Sequence, residues 1–437
     1  MDGRALRSTV PRSAHAHWNA PQDRDPLASL RTLFATLIPD LVPLRIARMS
    51  RSPFAFLRGS AGVMAADLAA LPRTGITTQI GGDAHVANFG GYASPERRLV
   101  FDVNDFDETV RGPWEWDVKR LATSLVLAGR ERGLRARACE AAVRAALVSY
   151  RDRTAQYAAL PSLDVWYSAI DLSGAVRSAL SPRARRAWIR TAREARRRTA
   201  FTLLPRLTQQ VGTQRRFIED PPLLQHVHAP EDAAGYANRV LAAYRSTLRH
   251  DARTLLDRFT PVDTVRKVVG VGSVGTWCVL MLLLDGDGNP LLLQGKEARA
   301  SALEPFAGAQ PYASHGERVV AGQRIMQAAT DALLGWADVD GRSFYVRQYR
   351  DMKAAPDLAA LSAGDLMDYA AHCGWALARA HARAGDPRAV AAYIGRSGAF
   401  VEAITAFAHA YAGQAERDHA AFVAAAPRLA TAVATPA

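Results

Sequence analysis

Residues 266–296 read Arg266-Lys-Val-Val-Gly270-Val-Gly272-Ser273-Val-Gly275-Thr-Trp-Cys-Val-Leu-Met-Leu-Leu-Leu284, then Asp285-Gly-Asp-Gly-Asn-Pro290, then Leu-Leu-Leu-Gln-Gly-Lys296. The glycines fit the spacing G-x-G-x-x-G. Loops of this kind cradle phosphates, because glycine lets backbone N–H groups come close to the anion. With 31 glycines in 437 residues the match alone is weak, so its setting decides the fold. In a dinucleotide-binding fold the loop opens a helix. Here Thr276–Leu284 is β-branched and apolar and runs into a tight Asp-Gly turn. The loop therefore belongs to a β-hairpin, which points to an α+β fold. About 20 residues on, where a bound ribose would need an acidic strand end, the chain has Lys296 instead.

A lysine ending the strand after a glycine hairpin can reach the α- and β-phosphates of a nucleotide. The plain alternative is an exposed strand-end lysine. Gly270, Gly272, Ser273, Gly275 and Lys296 are thus the candidate nucleotide-binding residues. A catalytic lysine needs a carboxylate partner on the next helix, expected from about Gly316 to Leu334. Glu317 at its start is the first choice and Glu304 the alternative.

Upstream, residues 82–88 read Gly82-Asp83-Ala-His85-Val-Ala-Asn88, and an acidic run, Asp102-Val-Asn-Asp105-Phe-Asp107-Glu-Thr109, follows a short strand. Phosphoryl transfer needs a carboxylate to orient or deprotonate the acceptor. It also needs an amide oxygen and a carboxylate to hold Mg²⁺ on the nucleotide. Asp83 fits the first role. Asn88 and Asp105 fit the second, with Asp107 and Asp102 as rivals. Strand alternation would point Asp105 and Asp107 the same way. Magnesium takes one or two carboxylates plus phosphate and water oxygens, so the cluster suits it. His85 is expected to brace the loop by hydrogen bonding. A lone Asp or Asn would be read as a turn former; the spacing after Gly82 favours function.

The length allows two or three domains. Hydrophobic residues at 49% and charged ones at 22% suit a soluble globular protein. The net charge of +13 suggests an anionic partner such as a nucleotide or an anionic small-molecule acceptor. A general preference for Arg over Lys is the bland reading. Residues 181–198 hold eight arginines (183, 185, 186, 190, 193, 196, 197 and 198). Such a run can grip phosphates but is more often a solvated helix face. No aromatic interleaving or nucleic-acid motif accompanies it, so nucleic acid is not the expected partner. Cys139, Cys278 and Cys373 show no metal or disulfide spacing, which fits a reducing cytoplasm and small buried residues. No apolar run is long enough to span a membrane. The first 25 residues have no apolar core of a signal peptide and are expected to be a disordered tail.

The loop and acidic strand resemble the aminoglycoside phosphotransferase and choline kinase branch of the kinase-like fold. That branch has G-D-x-H-x-x-N, then a strand ending in a metal Asp, then a Gly and a further Asp opening a helix. Here these are Gly82–Asn88, Asp105, Gly112 and Asp117. The resemblance implies that Asp117 braces the loop. The whole chain, from about 45 to 420, also looks like a bacterial domain of unknown function, family twenty-two fifty-two. Its marks are Phe56-Leu-Arg-Gly59, Gly82–Gly90, Asn104–Thr109, Gly112–Asp117, Lys267–Gly275, Lys296-Glu-Ala298, Gly316–Val320 and Ala380-His-Ala-Arg383.

Kinases place the glycine loop and lysine before the catalytic loop; here they follow Asp105. A circular permutation reconciles the order, with helix 366–381 resembling the one that normally precedes the catalytic loop. The expectation is an α+β, two-lobed, protein-kinase-like fold in circularly permuted order. A mostly helical catalytic lobe at 26–260 would carry a helical insertion at about 160–260. A β-rich nucleotide-clamping lobe would lie at 261–355, and C-terminal helices would follow at 356–437. The expected function is an ATP- and Mg²⁺-dependent phosphotransferase acting on a hydroxyl-bearing acceptor, located in the cytoplasm. The rivals are AMP transfer by the same residues, a nucleotide-binding regulator without turnover, a basic nucleic-acid-binding protein and a dinucleotide-dependent oxidoreductase.

Overall fold

The computed structural model describes residues 2–172, 179, 181–226, 233–349, 352, 353 and 355–434. Parts of the expected helical insertion (173–178, 180 and 227–232) and the last three residues of the expected C-terminal helix lie outside the described residues. The architecture is mixed α+β, mostly helical with several small sheets.

Helices α1 (Pro26–Phe34), α2 (Val42–Met49), α3 (Pro53–Gly59) and α4 (Ala61–Ala69) come first. Proline opens α1 and α3, where its missing N–H would have had no partner. Asp25 and Ser52 cap these two helices by accepting first-turn N–H groups. Strand β1 (Thr77–Ile80) later pairs with β4 (Val110–Pro113); between them, β2 (Phe89–Ala93) pairs with β3 (Leu99–Val103). Helix α5 (Trp114–Glu131) starts three residues before Asp117, because Pro113 at its N-cap fixes the entry into the helix. Helix α6 (Ala136–Ala158) follows.

Helix α7 (Pro182–Arg196) turns Trp188, Ala192 and Ala195 inward and leaves all eight arginines of 181–198 exposed, so the run is a solvated face. After α8 (Ala200–Leu207), the expected helical insertion contains strands. β5 (Thr208–Val211) and β6 (Gln214–Phe217) form a hairpin, and β7 (Leu224–Gln225) joins the main sheet. Helices α9 (Ala233–Thr247) and α10 (His250–Leu256) lead into that sheet.

The sheet continues with β8 (Thr260–Lys267), β9 (Cys278–Leu284) and β10 (Pro290–Ala298). Helix α11 (His315–Met326), then β11 (Gly335–Val339) and β12 (Arg342–Gln348), complete it. Its order is β11-β12-β10-β9-β8-β7, antiparallel throughout. Period-two alternation sorts its side chains. Met281, Leu283 and Leu293 pack under Tyr244 and Leu248 of the α9 segment, while Leu280, Leu282 and Leu292 meet Phe217 and Leu224 on the other face. Each fully buried side chain of this kind is worth roughly 1.5–3 kcal/mol. Helix α11 stops at Met326, short of the expected Leu334, where Gln327 turns to extended backbone and donates its side-chain N–H to Val103 O.

Helices α12 (Ala363–Ala384), α13 (Pro387–Ile394) and α14 (Ala399–Ala434) pack with α5 and α6 around the largest apolar core. The expected disordered tail is instead docked on this body. His15 and Trp18 are buried, and the Arg24 guanidinium bridges Asp67 and Asp418, each at 2.6 Å. All three cysteines are buried and unpaired. Among the described residues no helix is long and apolar enough to cross a membrane.

Candidate functional site

The Gly82–Asn88 loop lies between β1 and β2. Gly82 has φ 77°, and a Cβ there would stand 2.2 Å from Glu108 O, so only glycine fits. Asp117, in the first turn of α5, accepts the N–H groups of Gly81 (2.7 Å) and Gly82 (2.9 Å) and faces His381 Nε2 at 3.2 Å. The loop is thereby tied to both α5 and α12. Asn88 donates its amide N–H to Asp83 O at 2.7 Å, which closes the loop on itself; among the described residues its Oδ1 has no hydrogen-bond partner.

Asp83 is ion-paired with Arg120, whose Nε lies 2.5 Å from Oδ1. Burial pushes the Asp83 carboxyl up; Arg120 opposes this, Glu108 and Asp105 add to it, and the group settles at about 7. Among the described residues the His85 ring has no hydrogen-bond partner, contrary to the expected bracing role. Its Nε2 is 3.6 Å from Asp83, its Nδ1 is buried without a partner, and the ring packs edge-on against Phe54. Burial, with the Arg58 and Arg120 charges, holds His85 well below its usual range, so the ring is neutral.

The second half of the site comes from the sheet. Lys296, on β10, places Nζ 2.6 Å from Asp107 Oδ2, across 189 residues of chain, and 3.5 Å from Asp105 Oδ1. Tyr345, directly across from it on β12, donates its hydroxyl to Asp107 Oδ1. Asp107 is thus held by two side chains of the sheet. Asp102 is completely buried against Arg379 of α12. Asp105 remains the most accessible of the three, about one-third exposed. Burial pushes its carboxyl up, but Lys296, Arg347 and Lys353 outweigh this and hold it at about 2. The same pairing reverses the effect of burial on Lys296 and keeps the ammonium well above its usual range.

The glycine-rich segment joins antiparallel β8 and β9 and opens no helix, as the hairpin reading required and a dinucleotide fold would not allow. Its carbonyls are held from α2. Arg45 donates to Gly272 O (2.6 Å) and Val274 O (2.9 Å), and Arg48 to Gly270 O (2.8 Å). A cleft of about 530 Å³ lies beneath it, lined by Gly270, Ser273, Asn104, Asp105, Lys296 and Gln323 among others. Ser273 Oγ is 3.4 Å from Asp107 Oδ2. Gly272 and Gly275 turn away, toward the Arg58 carbonyl and Leu37. Asp83, His85 and Asn88 are outside the cleft lining and connect to it through Asp105, whose charge acts on Asp83.

Lys296 does not pair with Glu317 or Glu304. Glu317 sits in the first turn of α11 and accepts Ala313 N–H at 2.9 Å, while Glu304 lies 3.6 Å from Arg318. The acidic loop had already supplied the lysine with its carboxylates. Arg318 instead grips that loop, donating to the carbonyls of Thr109 and Asp107. Arg120, Arg318, Tyr345 and Arg347 were not singled out from the sequence. A signal existed for Arg120: it lies on a helix turn whose neighbours Val118, Leu121 and Leu125 are apolar, a place a solvated arginine avoids. Nothing in the sequence marked Tyr345. Among the described residues no group of three or more His, Cys, Asp or Glu is gathered to hold a metal. A protein-only metal cage is therefore absent there, and the available donors are the Asp105 carboxylate and Asn88 Oδ1.

Residues 37–425 match the family described as an uncharacterized protein conserved in bacteria (DUF2252), and the chain belongs to that family. No curated protein and no solved structure matched the chain significantly.

Proposed function

We propose that this protein is an ATP- and Mg²⁺-dependent phosphotransferase acting on a hydroxyl-bearing acceptor, built on a permuted kinase-like arrangement. The observation that carries this reading is the meeting of Lys296 with Asp105 and Asp107 beneath the glycine loop. Counted from β8, the loop joins the first and second strands, the lysine stands on the third, and a helix follows. Kinases use their glycine loop, lysine and helix in that sequence, which supports the reading. The Gly82–Asn88 loop precedes these parts in the chain, and α12, which in a kinase would lead into it, lies beside it through the Tyr369 hydroxyl, which donates to Val86 O and Phe89 O.

The donor set fits a magnesium ion carried on nucleotide phosphates, since such an ion takes one or two carboxylates and keeps water and phosphate oxygens. Asp105 and Asn88 Oδ1 would hold it, and it would neutralise phosphate charge. Lys296 and the N–H groups near Gly270 and Ser273 bind phosphate oxygens. Asp83, oriented by Arg120, takes the acceptor hydroxyl proton; a carboxyl at about 7 suits a base at neutral pH. The acceptor oxygen bonds to the γ-phosphorus as the bond to the β,γ-bridging oxygen breaks. ADP leaves with that electron pair.

The test is thermal unfolding of wild type and Asp105→Ala, each with and without Mg-ATP. Ligand at 100 times its dissociation constant adds about 2.7 kcal/mol, or about 3 °C for a chain of this length. A magnesium-dependent rise in wild type alone is expected. No rise in either protein at millimolar nucleotide overturns the reading.

A further inference from the structure

Arg58 is the penultimate residue of α3, and its backbone is fixed at the tip of the glycine loop. A Cβ on Gly272 would stand 3.2 Å from Arg58 O. On either side, Leu57 O accepts from Arg120 Nη2 at 2.8 Å and Gly59 O from Arg45 Nη2 at 3.0 Å. Arg120 is the partner of Asp83, and Arg45 holds the glycine loop. Arg58 therefore stands where the two halves of the site meet.

Its side chain is placed but not used. The guanidinium carbon lies 5.7 Å from the centroid of Phe54, the ring that also packs on His85. The charges of Asp83 and Asp105 both act on it. Yet the half-buried guanidinium makes no hydrogen bond and no ion pair in the described structure, and its Nε is buried with no partner. Arg45, Arg318 and Arg379 also leave Nε without a hydrogen-bond partner, but they, like Arg120, give other N–H groups to carbonyls or carboxylates, which Arg58 does not. Leaving a desolvated donor unpaired costs free energy, more for a charged group. A guanidinium is also matched in shape to two oxygens of a phosphoryl group.

We propose that Arg58 is a catalytic residue that binds the terminal phosphoryl group of a nucleoside triphosphate between the glycine loop and Asp83. This rests on the phosphotransferase reading above. It assigns that site a cation from the N-terminal helices, outside both the sheet and the Gly82–Asn88 loop. As the γ-phosphorus moves from ADP to the acceptor oxygen, Arg58 offsets charge on its non-bridging oxygens; no proton leaves the guanidinium.

Calorimetric titration with ADP and with the imido analogue of ATP, both with magnesium, tests this. Wild type should bind the triphosphate analogue more tightly than ADP. Arg58→Met, which keeps a stem over Phe54, should lose about 10- to 100-fold in affinity for the analogue while ADP stays within about threefold. Should that variant fold poorly, Arg58→Lys gives the same discrimination, because it keeps the charge and loses the two-pronged contact. An equal loss for both nucleotides, or none, overturns the role of Arg58 and leaves the phosphotransferase reading standing. Wild type that binds neither nucleotide overturns both.

Discussion

Replacing Asp83 by Asn should change how stability depends on pH, in a direction the structure fixes. The Asp83 carboxyl is held at about 7 in the folded chain against a usual 3.8. Below the lower value the group is protonated whether the chain is folded or not, and the folded state has its full advantage. Between the two values only the folded chain keeps the proton, so stability falls as pH rises, by about 1.4 kcal/mol per unit. Over this window the loss reaches about 4 kcal/mol and is complete by roughly pH 8. Asn has no proton to lose, and whatever its substitution costs at Arg120 is nearly independent of pH. The unfolding free energy of Asp83→Asn minus that of wild type should therefore grow by about 4 kcal/mol between about pH 4 and about pH 8. For this length that is a midpoint difference of about 4 °C, taking roughly 2.1 cal/mol/K of unfolding entropy per residue. Urea and thermal unfolding of both proteins across the range measure it. A difference that stays flat within about 1 kcal/mol would refute the claim that burial raises this carboxyl.

Other expectations follow from single contacts. Arg379→Met removes the only ion-pair partner of the completely buried Asp102 among the described residues. Urea unfolding should show a loss of about 3–5 kcal/mol, and a loss under about 1 kcal/mol would contradict the pairing. Gly82→Ala forces a Cβ into Glu108 O at a positive φ. It should cost at least about 2 kcal/mol, whereas Gly286→Ala, with open space around it, should stay within about 0.5 kcal/mol. Lys296→Met takes away the main cation acting on Asp105, so its carboxyl should rise from about 2 by at least about one unit. Carbon NMR titration of the carboxylates reads this directly, and an unmoved Asp105 would mean that Arg347 and Lys353 hold it alone.

The β-rich half was legible because its signals are local. The glycine spacing, the unbroken apolar run from Cys278 to Leu284 and the Asp-Gly turn after it all act within a few residues, and the hairpin stands where they point. Lys296 and the acidic loop could each be picked out, but the sequence could not say that they meet. It offered Glu317 on the adjacent helix, which is near in sequence and elsewhere in space. The residues that orient the site escaped notice for the same reason. Arg120, Arg318 and Tyr345 act on partners 37, 211 and 238 positions away, and no pattern of composition records such distances. The N-terminal segment misled because its polar, Arg- and His-containing sequence looks solvated, while its order comes from Arg24 and from His15 against Tyr393.

That N-terminal docking bears on how the chain is made. Arg24 leaves the ribosome before Asp418, which shares its guanidinium with Asp67 and is 394 residues further on. At about 5–20 residues per second, roughly 20–80 s separate the two. Throughout that interval the first helices exist without α14, and the apolar faces of Phe34 and Phe56 that Phe422 covers stand open. The sheet formed by β8 to β12, whose strands are close in sequence, can assemble meanwhile. The N-terminal helices are therefore sealed late, by α14, and a chain stalled before it is one that chaperones and proteases would recognise by its exposed phenylalanines.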